Sequence, residues 1–558
     1  MASHRSPPPG YQRHQPENTA LYAIVEQRLP KLCAGLAQQD ASLPAFVTRE
    51  FHDYLRCGLL EYGFIRVKCN GCRHEQLVAF SCKRRGFCPS CGARRMIETS
   101  AHLVDHVIPP VAVRQWVLSF PWPLRMLFAS RPQALSSCLA VITRAIQTSL
   151  AQRAGLKATD GARTGIVTLI QRFGSALNLN VHLHMLVLDG VYTWEHGRPR
   201  FHRVGAPNRK CLERLLDRLI RRLLRRLTRD GWLVFDPEQP WLDLEPADTL
   251  DSLAAASIRY RIASGPETGR RTLTLKNPRL ARSDTVPKAL TTDQNGFSLN
   301  AAVACQPHER GRLERLCRYI TRPAICLDRL STNSAGQVVY RLKHPFRDGT
   351  THVVFSPEDF IARLAALVPR PGFNLTRYHG VFAPNSAFRR AVVPGAGKRR
   401  RRKGKTPSCR DDGPKPPKSD PVDDSDPPIA PLTWAQRLKR VFEFDITLCP
   451  YCGGRLRVIA DVTDPAVIRK ILDHVHQRAP PIWRSTSEPY TISASADWLQ
   501  HAQKDKSSLF AHTRESFVLD SPCVRFPGNR PRPPQPLAVG LGCSWVLSLG
   551  GGQRGVLL

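Results

Sequence analysis

Acidic residues are scarce in this chain of 558 residues: 46 Asp and Glu stand against 82 Lys and Arg, a formal net charge of +36. So basic a protein is steered to polyanions, and nucleic acid is the first candidate. The plainer alternative is a solvated basic surface encoded by a GC-rich gene, since Arg and Pro are both abundant. Targeting features are missing too. The opening MASHRSPPPG has no apolar stretch and does not read as a secretory signal. No apolar run attains the roughly 18 residues of a membrane span, so no membrane association is expected. The 17 cysteines are too sparse for a disulfide scaffold, and several fall in C-x-x-C pairs, which suits metal binding in a reducing cytosol. What is present is enough apolar residue, 42%, for globular cores in a chain too long for a single one.

The most informative stretch is Leu177 to Leu188, LNLNVHLHMLVL. As a strand it puts Asn178, Asn180, His182 and His184 on one face and Leu177, Leu179, Val181, Leu183 and Met185 on the other. Two imidazoles two residues apart form a platform for a divalent metal, although H-x-H alone is also common as a structural pair. Gly165 to Phe173, β-branched and apolar, reads as the preceding strand of an antiparallel hairpin. Gln171 on it is the candidate third ligand. A long turn would set it opposite His182; a tight one would leave it roughly 13 Å away along the strand.

Cys69-Asn-Gly-Cys72 and Cys88-Pro-Ser-Cys91 are two knuckles fifteen residues apart. Four thiolates so spaced fit one tetrahedral structural Zn2+ in a ribbon, with Glu75 to Phe80 as a ribbon strand. Cys82 and His74 read as bystanders. Arg84, Arg85, Arg94 and Arg95 surround the knuckles and are candidates for DNA-backbone contact. Cys449-Pro-Tyr-Cys452 is a lone knuckle that His474 and His476 could complete.

Arg209 to Arg229 is an amphipathic helix with leucines on one face and arginines over the rest, a solvated face or a phosphate contact. Glu309 to Arg322 is another, stopped by Pro323. On it Arg312, Arg315, Tyr319 and Arg322 form a stripe opposite Leu313, Leu316 and Ile320. Positive charge beside a phenol favours phenolate, and the same arginines suit a phosphodiester. A surface tyrosine on a basic helix is the plain alternative.

The segments FGSALNLNVHLHMLVLDGVY, LERLCRYITRPAI and CPYCGG resemble the rolling-circle transposases of the insertion-sequence-91 family, particularly those of ISCR elements, over residues 20–475. The resemblance implies an HUH endonuclease: a central antiparallel sheet flanked by helices, α+β in class, with an N-terminal helical and zinc-ribbon domain and a small C-terminal unit. It implies Mg2+ or Mn2+ on His182 and His184, with Tyr319 forming a 5′-phosphotyrosine link to single-stranded DNA. Two-tyrosine members carry Y-x-x-x-Y; here Arg315 stands four residues before Tyr319, which implies a single-tyrosine enzyme. Tyr260, Tyr340 and Tyr378 remain as second nucleophiles without motif support. The expected partners are single-stranded DNA at transposon ends and target DNA, in the bacterial cytoplasm near the nucleoid. The rival readings are a plasmid relaxase or replication initiator with the same chemistry, and a non-catalytic zinc-dependent DNA-binding protein.

The expected organisation runs from a disordered 1–18 through the helical and zinc-ribbon domain at 19–100 and a helical connection at 101–160. The HUH domain follows at 161–395, then a basic, Pro-rich linker at 396–431, the small unit at 432–478 and a low-complexity tail at 479–558.

Overall fold

The strand Leu179–Leu188 is buried along its whole length because it has a neighbour on each side and helices over both faces. In the computed structural model, which describes residues 13–234, 241–242, 248–281, 290–394, 396, 436, 447–478 and 545–546, this histidine strand is central to an antiparallel sheet. Gly165–Phe173 and then Thr376–Gly380 lie to one side of it. Val113–Ser119, Phe297–Asn300 and Thr291–Gln294 lie to the other, and the short Ala304–Cys305 also pairs with Val113–Ser119.

One face of the sheet carries Leu179, Val181, Leu183, Met185 and Val187. It shares a core with the helices Trp122–Ser130, Pro132–Arg153, Arg209–Arg229, Thr249–Ile258 and Pro357–Leu367. Burying each such aliphatic side chain contributes about 1.5–3 kcal/mol. The other face, with Val167, Leu169, Leu186 and Leu188, packs on Pro89–His106 and Arg310–Thr321. Pro132–Arg153 is the one described helix long and apolar enough by composition to cross a membrane; Leu135, Cys138, Leu139, Ile142 and Ile146 place it in the main core.

The hairpin into the histidine strand has the long turn. Gly174 N–H donates to Asn178 O at 2.9 Å, and Leu177 takes a left-handed φ of 57°. A Cβ at Gly174 would lie 2.2 Å from Asn178 Oδ1, so a larger residue there must displace that buried amide. With a bulge between Gln171 and Phe173, the register sets Gln171 opposite His182.

Three expectations about organisation need correction. Residues 101–160 are not purely a helical connection: Val113–Ser119 is a fully buried strand beside the histidine strand. A short apolar run between helices does not reveal its period. Residues 432–478 are not a separate unit either. Leu456–Val462 pairs with Phe64–Cys69, itself paired with Glu75–Ala79. Ile468 and Leu472 of the helix Pro465–Arg478 pack on Phe64 and Val462. A two-stranded ribbon is marginal alone, and the third strand with its helix gives it a core. Within 1–18, Pro16–Asn18 forms a 3-10 turn with Pro16 buried, and Arg13 donates to Gly58 O at 2.9 Å. Apart from residues 396 and 545–546, the expected linker and tail lie outside the described residues, as does most of the N-terminal segment.

Candidate metal centres and the histidine pair

His182 and His184 project from one face of their strand, both almost wholly buried, with Nε2 atoms 3.2 Å apart. Their Nδ1 sides are engaged: His182 Nδ1 lies 2.8 Å from Asn180 O, and His184 Nδ1 lies 2.7 Å from the Gln115 amide. The bond to Asn180 O makes His182 Nδ1 the protonated nitrogen and leaves its Nε2 with a free lone pair. Two nitrogens each about 2.1 Å from one ion stand roughly 3.0–3.4 Å apart when the ligand angle is between 90° and 109°, so the pair fits a shared cation. Burial pushes His182 down to about 4 and His184 well below its usual range, with nearby Arg322 adding to both shifts. Both rings are therefore neutral at pH 7. His184 also needs its proton on Nδ1 to offer Nε2 to a metal, which requires the Gln115 amide to turn its oxygen, rather than its Nε2, towards Nδ1. Two further buried acceptors have no hydrogen-bond partner among the described residues, Asn180 Oδ1 and Ser119 Oγ, and Ser119 is paired with His182 in the register.

The tyrosine helix, Arg310–Thr321, packs over this same face through Leu313, Leu316, Cys317 and Ile320. Gln171, opposite His182, donates from Nε2 to Ile320 O at 2.9 Å, which ties the helix end to the sheet beside the histidines. Its side-chain carbonyl is left to serve as a ligand. Tyr319 is half-buried at the margin of that core, and the Arg322 guanidinium lies 4.5 Å from its ring centroid. Arg312 is ion-paired with Glu309 at 2.9 Å, and Arg315 is half-buried beside it. Of the other tyrosines, Tyr340 is buried in the main core. Tyr378 is opposite Val167, about 13 Å along the sheet from the level of Gln171, and Tyr260 follows the helix Thr249–Ile258. None of the three shares the tyrosine helix.

The cysteines are partnered differently from the single ribbon site expected. Cys69, Cys72, Cys88 and Cys91 do not meet. Cys88 and Cys91 join Cys57 and Cys82, while Cys69 and Cys72 join Cys449 and Cys452; within each group all sulfurs lie within 4.8 Å of one another. Neighbouring Sγ atoms are 3.3 Å apart for Cys82–Cys91, 3.7 Å for Cys57–Cys91 and 3.8 Å for Cys57–Cys88. In the other group Cys69–Cys452 is 3.4 Å and Cys72–Cys449 is 3.5 Å. Zn–S bonds of about 2.3 Å give a tetrahedral edge near 3.8 Å, so each group suits one structural Zn2+. Backbone N–H groups already point at the sulfurs, from Cys82 to Cys57, Lys83 to Cys91, Gly71 to Cys69 and Gly454 to Cys452. Such bonds favour thiolate: Cys69 is held down to about 6, first by the N–H of Cys72. Cys91 is also pulled below the usual thiol range, chiefly by the Cys57 thiol. A Cβ at Gly454 would stand 3.0 Å from Cys69 Sγ, so a larger residue in that knuckle would press on the sulfur group.

Cys82 is thus a member of a four-sulfur group rather than a bystander, and Cys57 and Gln115 join the list without any signal in local spacing. His474 and His476 are not needed to complete the Cys449–Cys452 knuckle. That knuckle lacked a partner in its own neighbourhood, which was the available clue to a distant one.

The arginines near the knuckles have intramolecular work. Arg84 pairs with Asp53, Arg85 donates to Phe373 O at 2.9 Å, Arg95 to Arg84 O at 3.0 Å, and Arg94 to Glu98 at 3.3 Å. The helix Pro89–His106, which opens with Cys88 at its cap, runs antiparallel along the tyrosine helix. A Cβ on Gly92 would be 2.8 Å from Pro323 Cβ, and Arg310 donates to Ile108 O at 2.9 Å and to Pro109 O at 3.2 Å at the other end. The buried cysteine group is therefore mechanically joined to the helix that bears Tyr319.

A body of mixed α+β class with four-cysteine metal groups and a buried histidine pair fits a metal-dependent protein that handles nucleic acid. Comparison with protein families agrees: residues 27–120 match the transposase zinc-binding domain of the IS91 type, and residues 165–389 match the family described as "Putative transposase". Together the two matches span more than half of the chain, which belongs to the IS91-type transposases. No curated relative and no solved structure matches it.

Proposed function

We propose that this transposase nicks and rejoins single-stranded DNA at the ends of its element through Tyr319, with His182 and His184 holding Mg2+ or Mn2+. The observation that carries this reading is the pair of neutral, buried imidazoles with Nε2 atoms 3.2 Å apart on the sheet face that the tyrosine helix covers. Gln171 is the third ligand by its place opposite His182. A cation there would polarise the scissile phosphate and stabilise charge on the departing 3′ oxygen. The chain's own residues do the rest. Tyr319 Oη gives up its proton to water and attacks phosphorus. The bond to the 3′ oxygen breaks, that oxygen takes a proton from water to leave as a 3′-hydroxyl, and a 5′-phosphotyrosine forms. Attack by the 3′-hydroxyl, with the protons moving the other way, rejoins the strand. Arg322, against the Tyr319 ring, and Arg315 hold the phosphodiester. Arg312 shares its charge with Glu309 and contributes less. This is the HUH arrangement, and Arg315 at the position of a first tyrosine leaves one nucleophile.

The test is incubation with an end-labelled single-stranded terminus oligonucleotide and Mg2+ or Mn2+. A covalent adduct is expected with the wild type and none with Tyr319→Phe. An adduct that persists in Tyr319→Phe moves the nucleophile elsewhere. No adduct with either metal favours a zinc-dependent DNA-binding protein, and cleavage confined to a plasmid origin favours a relaxase or replication initiator.

A further inference from the structure

The helix Arg209–Arg229 holds nine Lys or Arg and two acidic residues, and its leucines are spent on the core. Leu212, Leu215, Leu216, Leu219, Leu223 and Leu227 pack in the same cluster as Leu179, Val181 and Leu183, on the sheet face opposite the histidines. The outward side is left to arginine. Arg209, Arg221 and Arg226 have carboxylate partners in Glu213, Asp217 and Asp230. Among the described residues Arg214, Arg218, Arg222, Arg225 and Arg229 have none; three of these are exposed and Arg218 and Arg222 half-exposed. Spaced by three or four residues, these five form one stripe about 22 Å long at 1.5 Å per residue.

We propose that this stripe is a docking surface for the backbone of duplex DNA, on the far side of the sheet from the histidine pair. The argument is charge complementarity with a negative signature. Surfaces that hold single strands pair basic groups with aromatic platforms for the bases, and this helix has no aromatic residue. Guanidinium groups alone grip phosphates without reading sequence. The chain thereby holds a duplex segment independently of the strand cut on the other face, which goes beyond the cleavage reading and does not depend on it.

The experiment uses the full chain and two probes, a random-sequence 25-base-pair duplex and a single-stranded terminus oligonucleotide, titrated by fluorescence anisotropy over a range of salt. The variant R218Q/R222Q/R225Q/R229Q keeps helix propensity and side-chain stems. Its slope of log affinity against log salt for the duplex should be shallower by about 3 to 4, at about 0.9 per lost contact, with duplex affinity down at least about tenfold at moderate salt. Single-strand binding should stay within about twofold. Glu213→Gln with Asp217→Asn, which removes only negative charge, should tighten duplex binding. If the quadruple variant misfolds, R225Q/R229Q should still flatten the slope by about 2. An unchanged slope overturns the proposal, and so does an equal loss for both probes, since that would be a field effect of net charge. Failure of the wild type to form a Tyr319 adduct, with duplex binding intact, overturns the cleavage reading alone.

Discussion

His182 and Leu183 are adjacent, equally dry, and point to opposite sides of one strand. Leu183 enters an apolar core and needs nothing from its neighbours but contact. His182 pays for its burial with a polar group in a dry setting, and is held there by the Asn180 carbonyl and by its approach to His184. Burial stabilises the fold on one face; on the other it is a cost, which the proposed metal site accounts for because a ligand imidazole must be neutral and aimed. The difference teaches where to look for chemistry in a fully buried strand.

The sharpest break of this contrast is His182→Ala. Adduct formation should fall by about a thousandfold or more, while thermal unfolding moves little. Equal loss of fold and cleavage would make the pair structural. Leu183→Ala should do the reverse, costing about 2–5 kcal/mol in denaturant unfolding while the adduct rate at low temperature stays within a few-fold. A pH series separates the faces next. With His182 at about 4 in the folded chain and near 6.5 unfolded, the unfolded state binds the extra proton between those values. Metal-free protein should thus hold this contribution fully above about pH 6.5 and lose up to about 3 kcal/mol as pH falls towards 4. His182→Ala should flatten that slope, and Leu183→Ala should leave it unchanged. The smallest effect is Gln115→Leu, which frees His184 Nδ1. Mn2+ affinity by calorimetry should drop by about 10- to 100-fold with stability nearly intact; an unchanged affinity would remove Gln115 from the site.

Much of this was legible because it rests on short-range period. Alternation put His182 and His184 on one face, and helical spacing put Leu313, Leu316 and Ile320 inward and Tyr319 at the margin. Gln171 was legible as a residue but not as a neighbour: its place depended on a five-residue turn and a bulge, and a one-residue slip would have turned it away. Gln115 was hidden in a seven-residue strand that looks like a link between helices.

The cysteines mark the boundary most clearly. C-x-x-C says that two sulfurs will share an ion, because the turn it makes brings them together. That local geometry made each pair readable from residue order. It does not say which pair meets which. Phe64–Cys69 lies against Leu456–Val462, with Cys69 paired to Leu456, so the first knuckle meets one nearly four hundred residues away. The nearby Cys88 and Cys91 meet Cys57 and Cys82 instead. Local bonds and side-chain period act over a few residues and are written in the chain; the meeting of distant knuckles follows from strand pairing and a shared apolar core, which exist only once the chain has folded.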